Sequence, residues 1–234
     1  MKGKQSIMSA IPTGKLVAVD TEGTGLNPWI GARPFAVSFC NDDGQTGYMR
    51  WSVCPHSRKV TASPKDLRAL YEFFLDTSIR KVFHNAPYDL RMLDKLGVIP
   101  KSVKYKTNWF EETYFGISIC NSLEINRQLK PLCKKYVDID SSDEKALHKS
   151  TVAGRRKAKK NGWNLSSDSV KADFWLADPE LCEEYAVIDA ERTIALWVAV
   201  IEPWIEMRNA WKNYELEKQV LWANWDMMER GVRI

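Results

Sequence analysis

The spacing of apolar positions changes character along the chain. Lys15–Glu22 reads KLVAVDTE, a short apolar run that ends in acids and suits a buried strand. Two further runs, Arg33–Asp42 and Thr46–Val53, flank a turn around Asp43-Gly44 and predict an antiparallel hairpin. Ser63-Pro64 places a capping hydroxyl and a first-turn proline ahead of the helically spaced LRALYEFFL. Arg80–Asn85 predicts another short strand. Pro87–Gly97 then predicts a helix with proline at its start and glycine at its end. Helices are also predicted over Trp109–Ser122 and Arg127–Val137. The polar, basic stretch from Asp138 to about Asp173 has no clear period. Helical periodicity returns at Pro179, with a kink or break at Pro203, and a second amphipathic helix follows from Tyr214. A strand, a hairpin, a strand and then mostly helices predict an α/β domain with a mixed sheet.

Composition narrows this picture only modestly. A chain of 234 residues buries one good core with room for an appendage. No apolar run is long enough to span a bilayer, and residues 1–14 lack the apolar stretch of a signal peptide. They are expected to be a loose lead-in, and the cytoplasm is the expected location. The five cysteines are scattered and never form a C-x-x-C pair, which argues against a disulfide framework or a zinc site and for free thiols. A net charge of +4 does not by itself establish nucleic-acid binding. The run KALHKSTVAGRRKAKK, ending at Lys160, reads either as a solvated helix face or as a track for phosphates.

Three acidic elements carry the candidate chemistry. Asp20 and Glu22 are two apart at the end of a strand, so both face the same side and repel unless a cation lies between them. Alone, the pair reads as an acidic turn. Asp89 falls in the first turn of a helix, where an acid is stabilised by the helix dipole, and Asn85 is placed to cap that helix. Tyr185 and Asp189 are four apart on one helix face, and Asp189 is flanked by Val187, Ile188, Ala190, Ile194 and Leu196. An acid beside an apolar face needs a partner or a metal.

Taken in order, D-x-E on a first strand, N-x-x-Y-D after a second strand and Y-x-x-x-D on a late helix form one pattern. With Asp20, Glu22, Leu26, Asn85, Tyr88, Asp89, Tyr185 and Asp189 carrying the match, the chain resembles the 3′-5′ proofreading domain of family A DNA polymerases, the tyrosine subclass of the DEDD exonucleases. The resemblance runs from about Lys15 to Met207. The tail adds a second match, because Glu217, Met228, Glu229, Gly231 and Val232 resemble the segment that joins exonuclease to polymerase in the same family. The pattern departs from the family at Glu112-Thr113, where Asp-Thr is common, and residues 138–173 align with no familiar form.

The resemblance implies a ribonuclease H-like mixed central sheet flanked by helices. It also implies an exonuclease domain over residues 15–207 and a helix over 208–234 leading toward a polymerase domain in cis. The implied activity is 3′-5′ exodeoxyribonuclease, by a monomer acting on a single-stranded DNA 3′ end with two Mg²⁺ or Mn²⁺ ions. Asp20, Glu22 and Asp189 would hold one ion and Asp20 and Asp89 the other, with Tyr185 orienting the water. A phenol is too weak a base at neutral pH to do more. Leu26, Asn85 and Tyr88 match positions around the strand end, and Arg155 and Arg156 are expected to follow phosphates. The alternatives are a free-standing DEDD exoribonuclease and a non-catalytic DNA-binding module.

Overall fold

The computed structural model describes residues 11–139, 144–167 and 169–231. Most of the predicted lead-in and Val232 of the tail motif lie outside them. Strand β1, Leu16–Gly23, is followed by the hairpin of β2, Pro34–Asn41, and β3, Thr46–Arg50. Gly44 makes the hairpin turn at φ +79°, a conformation that glycine adopts without strain. The second arm of the predicted hairpin leaves the sheet at Trp51, and Ser52–Val53 (β4) pairs instead with Val60–Thr61 (β5).

Helix α1, Pro64–Leu75, starts as predicted, with the Ser63 hydroxyl accepting from the Asp66 amide at 3.0 Å. Strand β6, Arg80–Phe83, leads into α2, Ala86–Leu96, which ends on Gly97 at φ +82°. Residues 109–122 differ from expectation. Phe110–Glu112 form β7, which pairs in parallel with Lys81–Phe83, and the helix α3 occupies only Thr113–Cys120. All three β7 residues are buried, so sheet pairing outweighs their helical spacing.

Helix α4, Leu129–Tyr136, precedes the stretch that lacked a readable period. There the chain forms α5, Glu144–Lys160, and a 3₁₀ turn over Lys171–Leu176. Helix α6, Pro179–Leu196, then runs through a π-helical segment, Trp197–Ile201, into α7, Glu202–Met207. The irregularity expected at Pro203 is thus taken up one turn earlier, by the wider π winding. Helix α8, Trp211–Arg230, closes the order.

The main sheet runs β3-β2-β1-β6-β7, with β1 antiparallel to β2 and parallel to β6. This is the mixed sheet flanked by helices that the pattern predicted. Alternation along β1 sorts its side chains into two cores. Val17 and Val19 pack with Leu90 and Leu93 of α2 and with Trp222 and Trp225 of α8. Leu16 and Ala18 pack with Ala190 and Ile194 of α6. Continuing that alternation, Thr21 faces α2, while Asp20 and Glu22 face α6. The end of β1 therefore lies between the two helices that carry the remaining candidate acids.

Helix α8 is braced into the core behind the sheet. The Lys218 ammonium is buried, donates to the Thr107 and Phe110 carbonyls at 3.0 Å, and pairs with Glu111 at 3.1 Å. The Tyr214 hydroxyl accepts from the Glu112 amide at 2.6 Å. These bonds fix β7 and the start of α3 directly behind the candidate site.

Candidate active site

One cleft is lined by Asp20, Glu22, Leu26, Asn85, Tyr88, Tyr185 and Asp189. Asp89 reaches the same place from α2. Its Oδ1 accepts from the Thr21 amide at 3.1 Å and the Thr21 hydroxyl at 2.5 Å. Thus the structure brings the four acids and Tyr185 together from three separate segments. Gly23 ends β1 beneath α2, and a Cβ there would overlap Met92 and the Tyr88 hydroxyl. That glycine lets the helix approach the strand.

The acids repel one another. Burial, then the charges of Asp89, Glu22 and Asp189, hold the Asp20 carboxyl well above the usual range. Burial and the charges of Asp189 and Asp89 push Glu22 up to about 8. Burial pushes Asp89 up to about 7, with the Thr21 hydrogen bonds opposing. Burial also raises the Tyr185 phenol above its ordinary value. Asp189 pairs with Arg192 at 2.7 Å, and that guanidinium is buried.

Hard divalent cations take oxygen donors, and a cation relieves this repulsion, so the donor set fits such ions. Among the described residues, though, no group of three or more His, Cys, Asp or Glu side chains is arranged to hold a metal as it stands. The Asp189 carboxylate is turned to Arg192 and that of Asp89 to Thr21. Rotation of these carboxylates toward a shared cation costs little beside unrelieved repulsion among buried charges.

The surrounding bonds place the remaining residues. The Tyr88 hydroxyl donates to the Gly25 carbonyl at 3.1 Å, which fixes the loop carrying the half-exposed Leu26. Asn85 does not cap α2 with its side chain as expected. It takes a left-handed conformation at φ 68°, and its amide donates to Glu112 Oε1 at 2.9 Å. That same oxygen caps α3 through the Tyr114 amide at 2.8 Å. The departure at Glu112 is therefore a brace that links α3 to the loop carrying Asn85.

Arg155 and Arg156 are not brought to the cleft. Arg155 turns inward instead, pairing with the fully buried Asp173, which also pairs with Arg58 at 2.7 Å. A cation committed to a buried carboxylate does not follow phosphates, which corrects the expectation for Arg155. Arg156 is exposed on α5. The cysteines are free, and only Cys54 is exposed.

Three site residues escaped the sequence reading. Thr21 sits in plain view between the two strand acids, and Arg192 sits one turn beyond Asp189. Lys171, in the 3₁₀ turn, lines the cleft from a segment with no legible motif.

Comparison with known proteins agrees with the fold. Residues 3–200 match the DNA polymerase A type family model described as 3′-5′ exonuclease. The chain is 26% identical over 217 residues to the DNA polymerase DpoZ of Salmonella phage PMBT28, covering 92% of this chain and 29% of that polymerase. It therefore spans less than a third of the curated relative. Among solved structures it is similar to Brucella melitensis NrnC, with TM-score 0.64 and 23% identity over 94% of this chain and 87% of that one. Other structures of NrnC hold Mg²⁺ or pGG. It is also similar to Escherichia coli RNase D, an exoribonuclease involved in structured RNA processing, with TM-score 0.57 and 16% identity over 97% and 47%. The two structural likenesses show a shared ribonuclease H-like fold.

Proposed function

Since the chain belongs to the 3′-5′ exonuclease family of the DNA polymerase A type, we propose that it removes nucleotides from the 3′ end of a single nucleic-acid strand by in-line phosphodiester hydrolysis. The observation that carries this reading is the meeting of Asp20, Glu22, Asp89 and Asp189 in one cleft beside Tyr185.

Asp20, Glu22 and Asp189 would hold one divalent cation and Asp20 and Asp89 a second. When bound, such a pair lowers the pKa of the attacking water and neutralises charge on the leaving 3′ oxygen. The protein positions the reacting groups. Thr21 fixes the Asp89 carboxylate, and Arg192 fixes that of Asp189. The Tyr185 phenol is kept protonated by burial, so it orients the water by hydrogen bonding and does not take its proton. Leu26, on the loop anchored by Tyr88, packs on the terminal base in a way that tolerates any base.

Two settings are consistent with the family. The phage polymerase relative supports an editing domain acting on DNA. The fold shared with NrnC and RNase D over almost all of this chain, together with α8 buried in the nuclease core, better supports a self-contained nuclease acting on RNA or short oligonucleotides. Matched single-stranded DNA and RNA oligonucleotides with Mg²⁺ separate DNA editing from action on RNA. Clear RNA preference would end the editing reading, and clear DNA preference would end action on RNA.

A further inference from the structure

A second, larger cleft of about 970 Å³ adjoins the acidic one and shares Asn85, Lys171, Tyr185 and Asp189 with it. Its character is different. Arg127, Lys130, Lys134 and Lys171 line it, along with Tyr114 and the almost fully exposed Ile125. Arg127 lies over the Tyr114 ring, 5.6 Å from its centroid. Cations interleaved with an aromatic and an apolar side chain suit a nucleic-acid strand, whose phosphates and bases alternate.

One detail shows where a phosphate would sit. Glu144, the first residue of α5, holds Lys171 at 2.6 Å through Oε1 and Lys130 at 3.5 Å through Oε2. Its carboxylate thus gathers two ammonium groups, from α4 and from the 3₁₀ turn, around one anion. Both lysines act electrostatically on Glu22, so this point is close to the acid cluster. Lys130 also lies 4.1 Å from the centroid of the Tyr185 ring. The turn carrying Lys171 is fastened from behind. Arg58 donates to the Ala172 carbonyl at 3.0 Å and, with Arg155, pairs with Asp173. The ion pairs of Arg58 and Arg155 therefore hold Lys171 at the cleft.

We infer that the larger cleft is the subsite for the strand on the 5′ side of the scissile linkage, and that Lys130 and Lys171 clamp a phosphate there in the place Glu144 takes in the free protein. This rests on the nuclease reading and adds to it the residues that bind the rest of the strand. Glu144 is then an internal competitor that substrate displaces.

The test compares a trinucleotide with thymidine 5′-p-nitrophenyl phosphate, which fills only the terminal-nucleotide cleft. In the full chain with Mn²⁺, the double variant Lys130→Gln, Lys171→Gln is expected to lower the ratio of kcat/KM for trinucleotide over ester by about tenfold, the loss of two charge-assisted phosphate contacts. The salt slope of trinucleotide binding should become shallower by about 1.4. Glu144→Gln should lower the trinucleotide KM by about threefold at similar kcat, as expected when a weak surface ion pair stops competing. An unchanged ratio in the double variant, with wild-type hydrolysis of both compounds, would overturn the subsite while leaving the nuclease reading intact. An unchanged KM in Glu144→Gln would overturn the competition. Failure of the wild-type chain to hydrolyse either compound would overturn the nuclease reading and the subsite with it.

Discussion

Thr21 fastens Asp89: both its amide and its hydroxyl donate to the same carboxylate oxygen, at 3.1 and 2.5 Å. The strand that presents Asp20 and Glu22 on one face thereby holds the helix acid with the other. Groups that orient metal-binding carboxylates typically matter by 10- to 100-fold in affinity or activity. Thr21→Val keeps the shape and removes the hydroxyl. It is expected to raise the Mn²⁺ concentration needed for half-maximal hydrolysis by at least about tenfold. A metal titration of nucleotide release checks this, and an unchanged midpoint would remove Thr21 from the site.

Asp20→Ala and Asp189→Ala are expected to abolish measurable hydrolysis. Because Asp20 is buried and repelled by its neighbours, Asp20→Asn should also raise Tm in EDTA. Thermal melts beside activity assays separate this from misfolding. A lower Tm in Asp20→Asn would contradict the repulsion.

The acid cluster also sets the sign of the pH dependence. Glu22 is raised to about 8 and Asp89 to about 7, against ordinary values of 4.5 and 3.8. The folded state therefore holds more protons than the unfolded state between about pH 4 and pH 8, and stability falls as pH rises through that window. In EDTA, Tm at pH 9 should lie at least about 4 °C below that at pH 6, since 1 kcal/mol is worth roughly 2–4 °C at this size. Mn²⁺ should raise Tm more at pH 9 than at pH 6, because the ligands must be deprotonated. Equal Mn²⁺ shifts at both pH values would place the ion elsewhere.

Arg155 and Arg156 are expected to behave differently despite being adjacent. Arg155→Glu sets a second acid against the buried Asp173 and should cost about 3–5 kcal/mol. Arg156→Glu should change stability by less than about 0.5 kcal/mol. Urea unfolding of the two variants tests this difference between the neighbours. Equal, small effects would return Arg155 to the surface.

Helix α8 should behave as part of the core. Trp225 is buried in the core beside the sheet and packs at a tilt on Trp222, their ring centroids 5.5 Å apart and their planes inclined by 52°. Trp225→Ala is expected to cost about 3–5 kcal/mol. A loss below about 1 kcal/mol would mean that α8 is only appended to the nuclease.

The sequence made some of this legible and hid the rest for physical reasons. β1, the β2–β3 hairpin and α1 could be read because their signals are local: alternation, a glycine turn, a serine cap. The acid set could be read because each motif sits on a regular element whose period fixes its direction. β7 could not, because Phe110–Glu112 become a strand only by pairing with β6, a partner far away in the chain. Arg155 was misjudged because its partner Asp173 lies in a segment with no period of its own. Glu112 looked like a departure from the family and proved to be the brace for Asn85 and α3, a role visible only once the two loops are side by side.

The most direct test uses a 5′-labelled single-stranded oligonucleotide and Mn²⁺, with wild-type chain and Asp189→Ala side by side. The account predicts a ladder of products shortened one nucleotide at a time from the 3′ end, absent in EDTA and absent with the variant. No shortening by the wild-type chain, loss of label from the 5′ end, or an undiminished ladder with Asp189→Ala would contradict it.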